Sequence, residues 1–427
     1  MFVPSLPATP GVLPVAPLAP VALGVDHAAA PISVRERIAT AVADLSGVLG
    51  HLRAHAAEAA VLSTCDRTEL YVVGPDHIES ATACLASAAH LPLEDLADCL
   101  WVRTGPAAAR HLFGVAAGIE SQLLGETGIL RQVRAAHAAA QQARATGPVL
   151  SALFRHALGV GKRARAQTGI SRGAASVGSA AVAIVRDELP PVARRHAVVV
   201  GAGEAAERVV VHLRRLGFGR VDLVNRTIAR ARRLVVAPGQ AFGLDQLPGL
   251  LAEADAVLCA TSAPTAVVSL VQAADAVRRR GGRPLLLIDL AVPRDIEPAV
   301  ADLPGVQLHD LDAVHARAAA NREQRGAEVM RVQALVELEV AAFDRWLCAR
   351  QAAPSIRRLR SVAEERRQAE LAAATRGLSE REHVAVDRAT RAVLNAILHG
   401  PTVALRRGDE ALGDHLVEAL TRRGDHH

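Results

Sequence analysis

The sequence predicts a multidomain α/β protein: an N-terminal α/β domain, a doubly wound parallel-sheet domain of the Rossmann type, and a C-terminal all-helical domain. Three observations predict it. The apolar run Ala197-Val198-Val199-Val200 leads directly into Gly201-Ala202-Gly203 and a helix-like stretch from 204 to 216, which is the strand, glycine turn and helix of a dinucleotide fold. Further apolar runs at 221–224, 256–259 and 285–288 alternate with helical patterns, and strands alternating with helices imply a parallel sheet. After Asp312 the glycines and strand signals fade, and Val329, Val332, Val336, Val340 and Phe343 recur close to helical spacing.

A length of 427 residues exceeds what one hydrophobic core serves, and about 150 residues per domain gives two to three. The pattern divides as 1–20, a Pro/Ala-rich extension expected to be disordered; 21–175, the first α/β domain; 176–316, the parallel-sheet domain; and 317–427, the helical domain. No stretch reaches the roughly 20 uninterrupted apolar residues of a membrane helix, and the first residues lack the basic start and continuous apolar run of a signal peptide. A soluble protein with no membrane partner is expected. Of the 49 basic residues only Lys162 is a lysine, a compositional bias that makes arginine richness a poor guide to nucleic acid. The net charge of +5 permits binding a polyanion without demanding it. The five cysteines are scattered and never form a CxxC pair, which argues against a disulfide framework and a zinc site. A reducing, cytoplasmic compartment suits them, and no metal is expected.

Along the first domain, an apolar run at 21–25 precedes Asp26-His27, and Pro31 followed by Val34-Arg35-Glu36-Arg37-Ile38 opens a helix. A strand-like run at 59–62 ends in Ser63-Thr64-Cys65-Asp66-Arg67-Thr68-Glu69 before Leu70-Tyr71-Val72-Val73, giving strand, loop, strand. Helical periodicity fills 107–145, interrupted at Gly125-Glu126-Thr127-Gly128, and a further helix runs from 149 toward 167.

In the second domain, a glycine-rich turn between strand and helix lets backbone N–H groups approach a pyrophosphate at a helix N-terminus. Gly201, Ala202, Gly203, Glu204 and Ala205 form that turn, and Ala206 takes the third fingerprint position, where only close helix packing is needed. The second strand ends in Asn225-Arg226, where an NAD enzyme usually places an acidic residue for the ribose hydroxyls. An arginine there pairs instead with a 2′-phosphate, favouring NADPH, unless Arg226 is one more surface arginine.

Cys65, at a strand end between Thr64 and Asp66-Arg67, is either an unreactive, partly buried cysteine or a nucleophile whose thiolate Arg67 would favour. Resemblance favours the second reading. Residues 63–69 resemble the S-T-C-N-R-T-E signature of glutamyl-tRNA reductases. Gly24 to His27 with Pro31 and Arg35-Glu36-Arg37 are similar to that family's N-terminus, and His111-Leu112-Phe113 through Glu120-Ser121 to Gly125-Glu126 to its second signature. Gly161-Lys162-Arg163, Ser176-Val177, the segment 288–296 and the stretch 394–405 extend the likeness over nearly the whole chain.

The resemblance implies reduction of glutamyl-tRNA(Glu) to glutamate-1-semialdehyde, the entry step of five-carbon tetrapyrrole (porphyrin) biosynthesis. Cys65 would attack the aminoacyl ester and NADPH would reduce the enzyme thioester. By the same matching Thr64, Asp66, Arg67, Ser121, Glu126, Thr127, Gly128 and Gln132 would form the glutamate site, with Arg67 the carboxylate partner. The family's homodimer through its C-terminal helices carries over as an expectation, and pathway logic adds a complex with glutamate-1-semialdehyde aminomutase. Three positions depart from the family pattern. Asp66 replaces an asparagine, Gly128 replaces a glutamine, and Arg103, eight residues before His111, stands where relatives carry a histidine important for activity. An arginine cannot accept a proton, but it can stabilise developing negative charge, so Arg103 joins Cys65 as a catalytic candidate, with acid–base help from His27, His111 or water. Two other readings remain: a non-catalytic or weakly active relative that binds tRNA or the aminomutase, and a general NADPH dehydrogenase acting on another acyl group.

Overall fold

The structure is a computed structural model and describes residues 18–406 except 75–76, 122–123, 127, 172–176, 190 and 320–325. Most of the 1–20 extension, together with Thr127 and Ser176, therefore lies outside the described residues.

Strands β1 (Val21–Asp26), β2 (Glu58–Ser63), β3 (Arg67–Val73) and β4 (Trp101–Thr104) form an antiparallel sheet in the order β2-β3-β1-β4. Helices α1 (Ile32–Ala41), α2 (Leu45–His55), α3 (His77–Ala88) and α4 (Leu93–Ala97) share one apolar cluster with Leu23, Val61, Leu70 and Val72. Toward the opposite face lie α5 (Pro106–Ala117), α6 (Ile129–Gln142) and α7 (Pro148–Gln167), where Tyr71 meets Phe154 edge-on at 5.6 Å. Side chains alternate along a strand, so Leu70 and Val72 enter the first cluster while Arg67, Glu69 and Tyr71 share the other face. The buried carboxylate of Glu58 accepts from Val149 N at 3.0 Å and Leu150 N at 2.6 Å, satisfying the otherwise unpaired first turn of α7.

Helix α8 (Val177–Glu188) leads into a six-stranded parallel sheet. Its elements are β5 (His196–Val200), α9 (Glu204–Arg215), β6 (Arg220–Val224), α10 (Ile228–Arg232), β7 (Ala241–Phe242), α11 (Leu247–Glu253), β8 (Ala256–Cys259), α12 (Leu270–Arg279), β9 (Leu285–Asp289), β10 (Val306–His309) and α13 (Leu311–Ala319). The strand order is β10-β9-β8-β5-β6-β7, so the chain moves outward from β5 in one direction and returns to build the other half from β8. Each face has its own apolar cluster: Val199, Leu223, Leu258 and Ile288 pack with α8, α9 and α13, and Val198, Val200, Val257 and Leu287 with α11 and α12. This is the doubly wound arrangement, with its ligand crevice at the switch between β5 and β8. The short strands β4, β7 and β10 were not evident as apolar runs in the sequence.

The remaining described residues form α14 (Gly326–Ala374) and α15 (Glu380–Arg406). The chain divides into two compact units between Glu339 and Val340. Before that point in α14, Glu337 pairs with Arg110 at 2.6 Å, and Glu339 with His156 at 2.5 Å and with Arg163. In the second unit Ala352, Ile356, Leu359 and Ala363 pack with Leu398 and Leu405, and Arg367 pairs with Glu364 at 2.6 Å and Asp387 at 2.8 Å. Val384, Val393 and Ile397 on α15 are exposed. No described helix is long and apolar enough to cross a membrane.

Candidate active site

At the end of β5 the chain turns through Gly201, whose φ is +117° and where a Cβ would lie 2.4 Å from the Ala260 carbonyl oxygen. Only glycine fits that conformation and that approach. Helix α9 begins at Glu204, directing its unpaired N–H groups at a cavity of about 630 Å³. Gly201, Ala202, Gly203, Glu204, Ala205, Asn225 and Arg226 line it, joined by Arg230 and by Thr261 and Ser262 after β8. Ala206 is fully buried in the apolar cluster and does not line the cavity. Glu204 would repel a phosphate, but Arg131 and Arg208, the latter at 2.5 Å, pair with it.

A second cavity of about 340 Å³ is lined by Cys65, Glu126, Gly128 and Gln132 on one side and by Glu204, Ala205, Thr261 and the 290–292 segment on the other. The cysteine and the first residues of α9 thus open onto one space. Cys65 sits in a short loop between β2 and β3, closed by Thr64 N donating to Arg67 O at 2.8 Å and Asp66 N donating to the Thr64 hydroxyl at 3.2 Å. Burial first, then the charges of Asp66 and Glu126, push the Cys65 thiol well above its ordinary range, while Arg35 opposes them. Burial and Asp66 also raise Glu126 to about 7. The segment carrying Glu126 is held at Gly125, whose φ is +76° and where a Cβ would lie 1.9 Å from Ile170 O, and by Arg165 donating to Glu126 O at 3.0 Å.

Beside this cavity lies a buried polar network on the far face of β3. Glu69, with no exposed surface, accepts from Arg67 Nη1 at 3.0 Å, His111 Nε2 at 2.8 Å and the Tyr71 hydroxyl at 2.5 Å. Burial alone would raise its carboxyl, but His111, Arg67 and Tyr71 outweigh it and hold the group at about 2. Arg67 also donates to Glu120 O at 2.5 Å. Arg103 contacts His111 Nδ1 and lies over the Trp101 ring at 4.9 Å. Arginine only donates, so Nδ1 is the acceptor and the Nε2 hydrogen goes to Glu69.

The structure therefore brings Cys65, Glu126, Gly128 and Gln132 together with the cofactor cradle. Arg67 and Arg103 do not line that cavity; their guanidinium groups are engaged in the Glu69 network. Asp66 is buried, with Oδ1 3.5 Å from His315 Nδ1, and Ser121 is buried. Of the histidines considered for acid–base work, His111 has both ring nitrogens occupied. Arg131, Arg208, Arg230, Thr261 and Ser262 were missed by sequence reasoning. The last two had a readable signal, since they directly follow a parallel strand, where such folds bind ligands. Among the described residues no cluster could hold a metal ion.

Known proteins resemble the chain along most of its length. Residues 23–168 match the family model "Glutamyl-tRNAGlu reductase, N-terminal domain", residues 183–316 "Shikimate / quinate 5-dehydrogenase", and residues 331–423 "Glutamyl-tRNAGlu reductase, dimerisation domain". A glutamyl-tRNA reductase of Alkalilimnicola ehrlichii is 39% identical over 407 residues, covering 94% of this chain and 91% of its own. The chain belongs to the glutamyl-tRNA reductase family. A second member, from Roseiflexus castenholzii, is 39% identical, with 94% of this chain and 95% of its own covered. The solved glutamyl-tRNA reductase of Methanopyrus kandleri is 32% identical over 94% of this chain and 98% of its own, with a TM-score of 0.49. As a member of this family the chain is an oxidoreductase whose middle segment is a dinucleotide-binding domain of the NAD(P) kind. Because the likeness spans the N-terminal residues, a general dehydrogenase resembling it only in the cofactor segment is excluded, and a non-catalytic relative is not favoured.

Proposed function

We propose that this protein reduces glutamyl-tRNA(Glu) to glutamate-1-semialdehyde with NADPH, through a thioester on Cys65, as the first step of five-carbon tetrapyrrole biosynthesis. The observation that carries the reading is one cavity lined both by Cys65 and by Glu204 and Ala205, the first residues of α9 after the glycine turn. Cys65 Sγ attacks the ester carbonyl, the tRNA hydroxyl leaves with the thiol proton, and the glutamyl group is held as thioester. NADPH, when bound, supplies the hydride that reduces it. Uptake of a proton and cleavage of the C–S bond then release the aldehyde and restore Cys65.

The residues present fit that cofactor: the Gly201 approach and the α9 N-terminus suit a pyrophosphate, and Arg226, with Arg230, suits a 2′-phosphate. Glu126 and Gln132 are positioned toward the glutamyl group, and Glu126, at about 7, is a carboxyl able to hold a proton at Cys65 near neutrality. Arg67 and Arg103 act by bracing the β3 face through Glu69 and His111. In this reading residues 21–175 hold the substrate, 176–316 the cofactor, and 317–427 carry the homodimer, for which the exposed Val384, Val393 and Ile397 supply an apolar surface. Cys65, Cys84, Cys99 and Cys259 are free thiols, consistent with a cytoplasmic setting. The reactive aldehyde product gives reason for a complex with glutamate-1-semialdehyde aminomutase. Single-turnover reaction with glutamyl-tRNA and NADPH tests the function: the parent should form semialdehyde and oxidise the cofactor, and Cys65→Ser should do neither. A folded parent that binds tRNA without product would return the regulatory reading.

A further inference from the structure

The Arg35-Glu36 pair on α1 lies outside both cavities' chemistry, yet each side chain reaches into the parallel-sheet module. Arg35 is 3% exposed and its one guanidinium serves three acceptors: Nε donates to Ala30 O at 3.2 Å, Nη1 to Cys65 O at 3.2 Å, and Nη2 to the Asp312 carboxylate of α13 at 2.6 and 2.8 Å. Glu36 makes the reciprocal contact, accepting from Arg294 Nε at 2.8 Å and Nη2 at 2.7 Å. Arg294 lies in the same loop as residues 290–292, which line the Cys65 cavity. One turn beyond Asp312, His315 approaches Asp66, the residue after Cys65, at 3.5 Å, so α13 meets the cysteine loop at two points.

From this we infer that Arg35 is a positioning residue for Cys65, tying the nucleophile's own carbonyl to Asp312 and so setting the thiol's place relative to the cofactor cradle. The inference rests on the proposed thioester reduction. Its physical basis is the planar fork of a guanidinium, which reaches three acceptors in fixed geometry; a lysine ammonium carries the same charge but not the fork. A role limited to charge is a distinct alternative, because Arg35 also favours the Cys65 thiolate. Substitution by lysine separates the two.

The reaction divides into two measurable stages on the full-length protein. Acyl transfer is followed without cofactor, as tRNA release and glutamyl label on Cys65; reduction is followed as NADPH oxidation by the preformed thioester. Arg35→Lys and Asp312→Asn are each expected to leave acyl transfer within about threefold while slowing reduction about tenfold or more, the scale on which small misplacements of reacting groups act. The double variant should be no slower than the slower single one, since both break one tie. Asp312 lies at the partly exposed end of that tie, so Asp312→Asn reads it even where Arg35→Lys loses its fold. Equal slowing of both stages, or no slowing of either, overturns the inference. A parent that forms no thioester refutes instead the function on which it rests.

Discussion

Replacing Glu69 by glutamine removes the charge around which the buried network of β3 is built. Its carboxyl is held at about 2 rather than the ordinary 4.5, and a shift of that size corresponds to about 3 kcal/mol of stabilisation at neutral pH. A second route gives a similar figure. Arg67 is 2% exposed, and leaving a buried charge without its partner costs about 3–5 kcal/mol. The sign with pH follows from the direction of the shift. A carboxyl depressed in the folded state stabilises fully above its ordinary 4.5, and the effect is lost as pH falls toward 2. Urea denaturation is the assay, read through Trp101, whose ring lies 4.5 Å from His111, with the other tryptophan removed by Trp346→Phe. Glu69→Gln should lower stability by about 3 kcal/mol at neutral pH, and the gap should narrow steadily below pH 4.5. A loss under about 1 kcal/mol, or a gap indifferent to pH, would refute the reasoning, because an uncharged hydrogen-bond exchange is worth only about that much.

Three further variants test the reading. Arg226→Ala should weaken NADPH by about 10- to 100-fold relative to NADH, the worth of a charge-assisted pair to a phosphate, as read by titration of both cofactors; an unchanged ratio removes that role. Glu126→Gln deletes a charge that raises the Cys65 thiol, so alkylation of Cys65 at mildly alkaline pH, followed by peptide mass spectrometry, should speed up. The same variant should flatten a stability loss that the parent shows as pH rises from 4.5 to 7, because the folded state holds an extra proton in that window. An unaltered alkylation rate would contradict the first part and an unaltered pH slope the second. Gly201→Ala forces a Cβ against Ala260 O at a positive φ, and should abolish measurable dinucleotide binding and lower the melting temperature; retained affinity would show that the turn tolerates a side chain.

Much of the cofactor cradle was legible because its signals are local. A β-strand of valines, a glycine turn and an amphipathic helix are neighbours in sequence, and the doubly wound topology follows from repeating that unit. Cys65 was conspicuous for a similar reason, standing in a short loop between two apolar runs. The Glu69 network was partly legible. Arg67, Glu69 and Tyr71 alternate at the spacing of one strand face, but nothing local says that the face is covered by α5 and closed by His111.

The sequence by itself determined the fold class, the family signature, the glycine turn and the identity of the candidate nucleophile, since each depends on residues within a few positions of one another. Only the tertiary structure decided which of the marked residues meet. It turned Arg67 toward a buried carboxylate and Arg103 toward His111 instead of the cavity, brought Glu204 from the cradle to Arg131 of α6, and joined Cys65 to Asp312 through Arg35 across 277 positions of chain between the arginine and its partner. Those contacts depend on how helices and sheets pack, and the energy that selects them is the desolvation of charges, which acts between groups brought together by folding and leaves no local pattern in the chain.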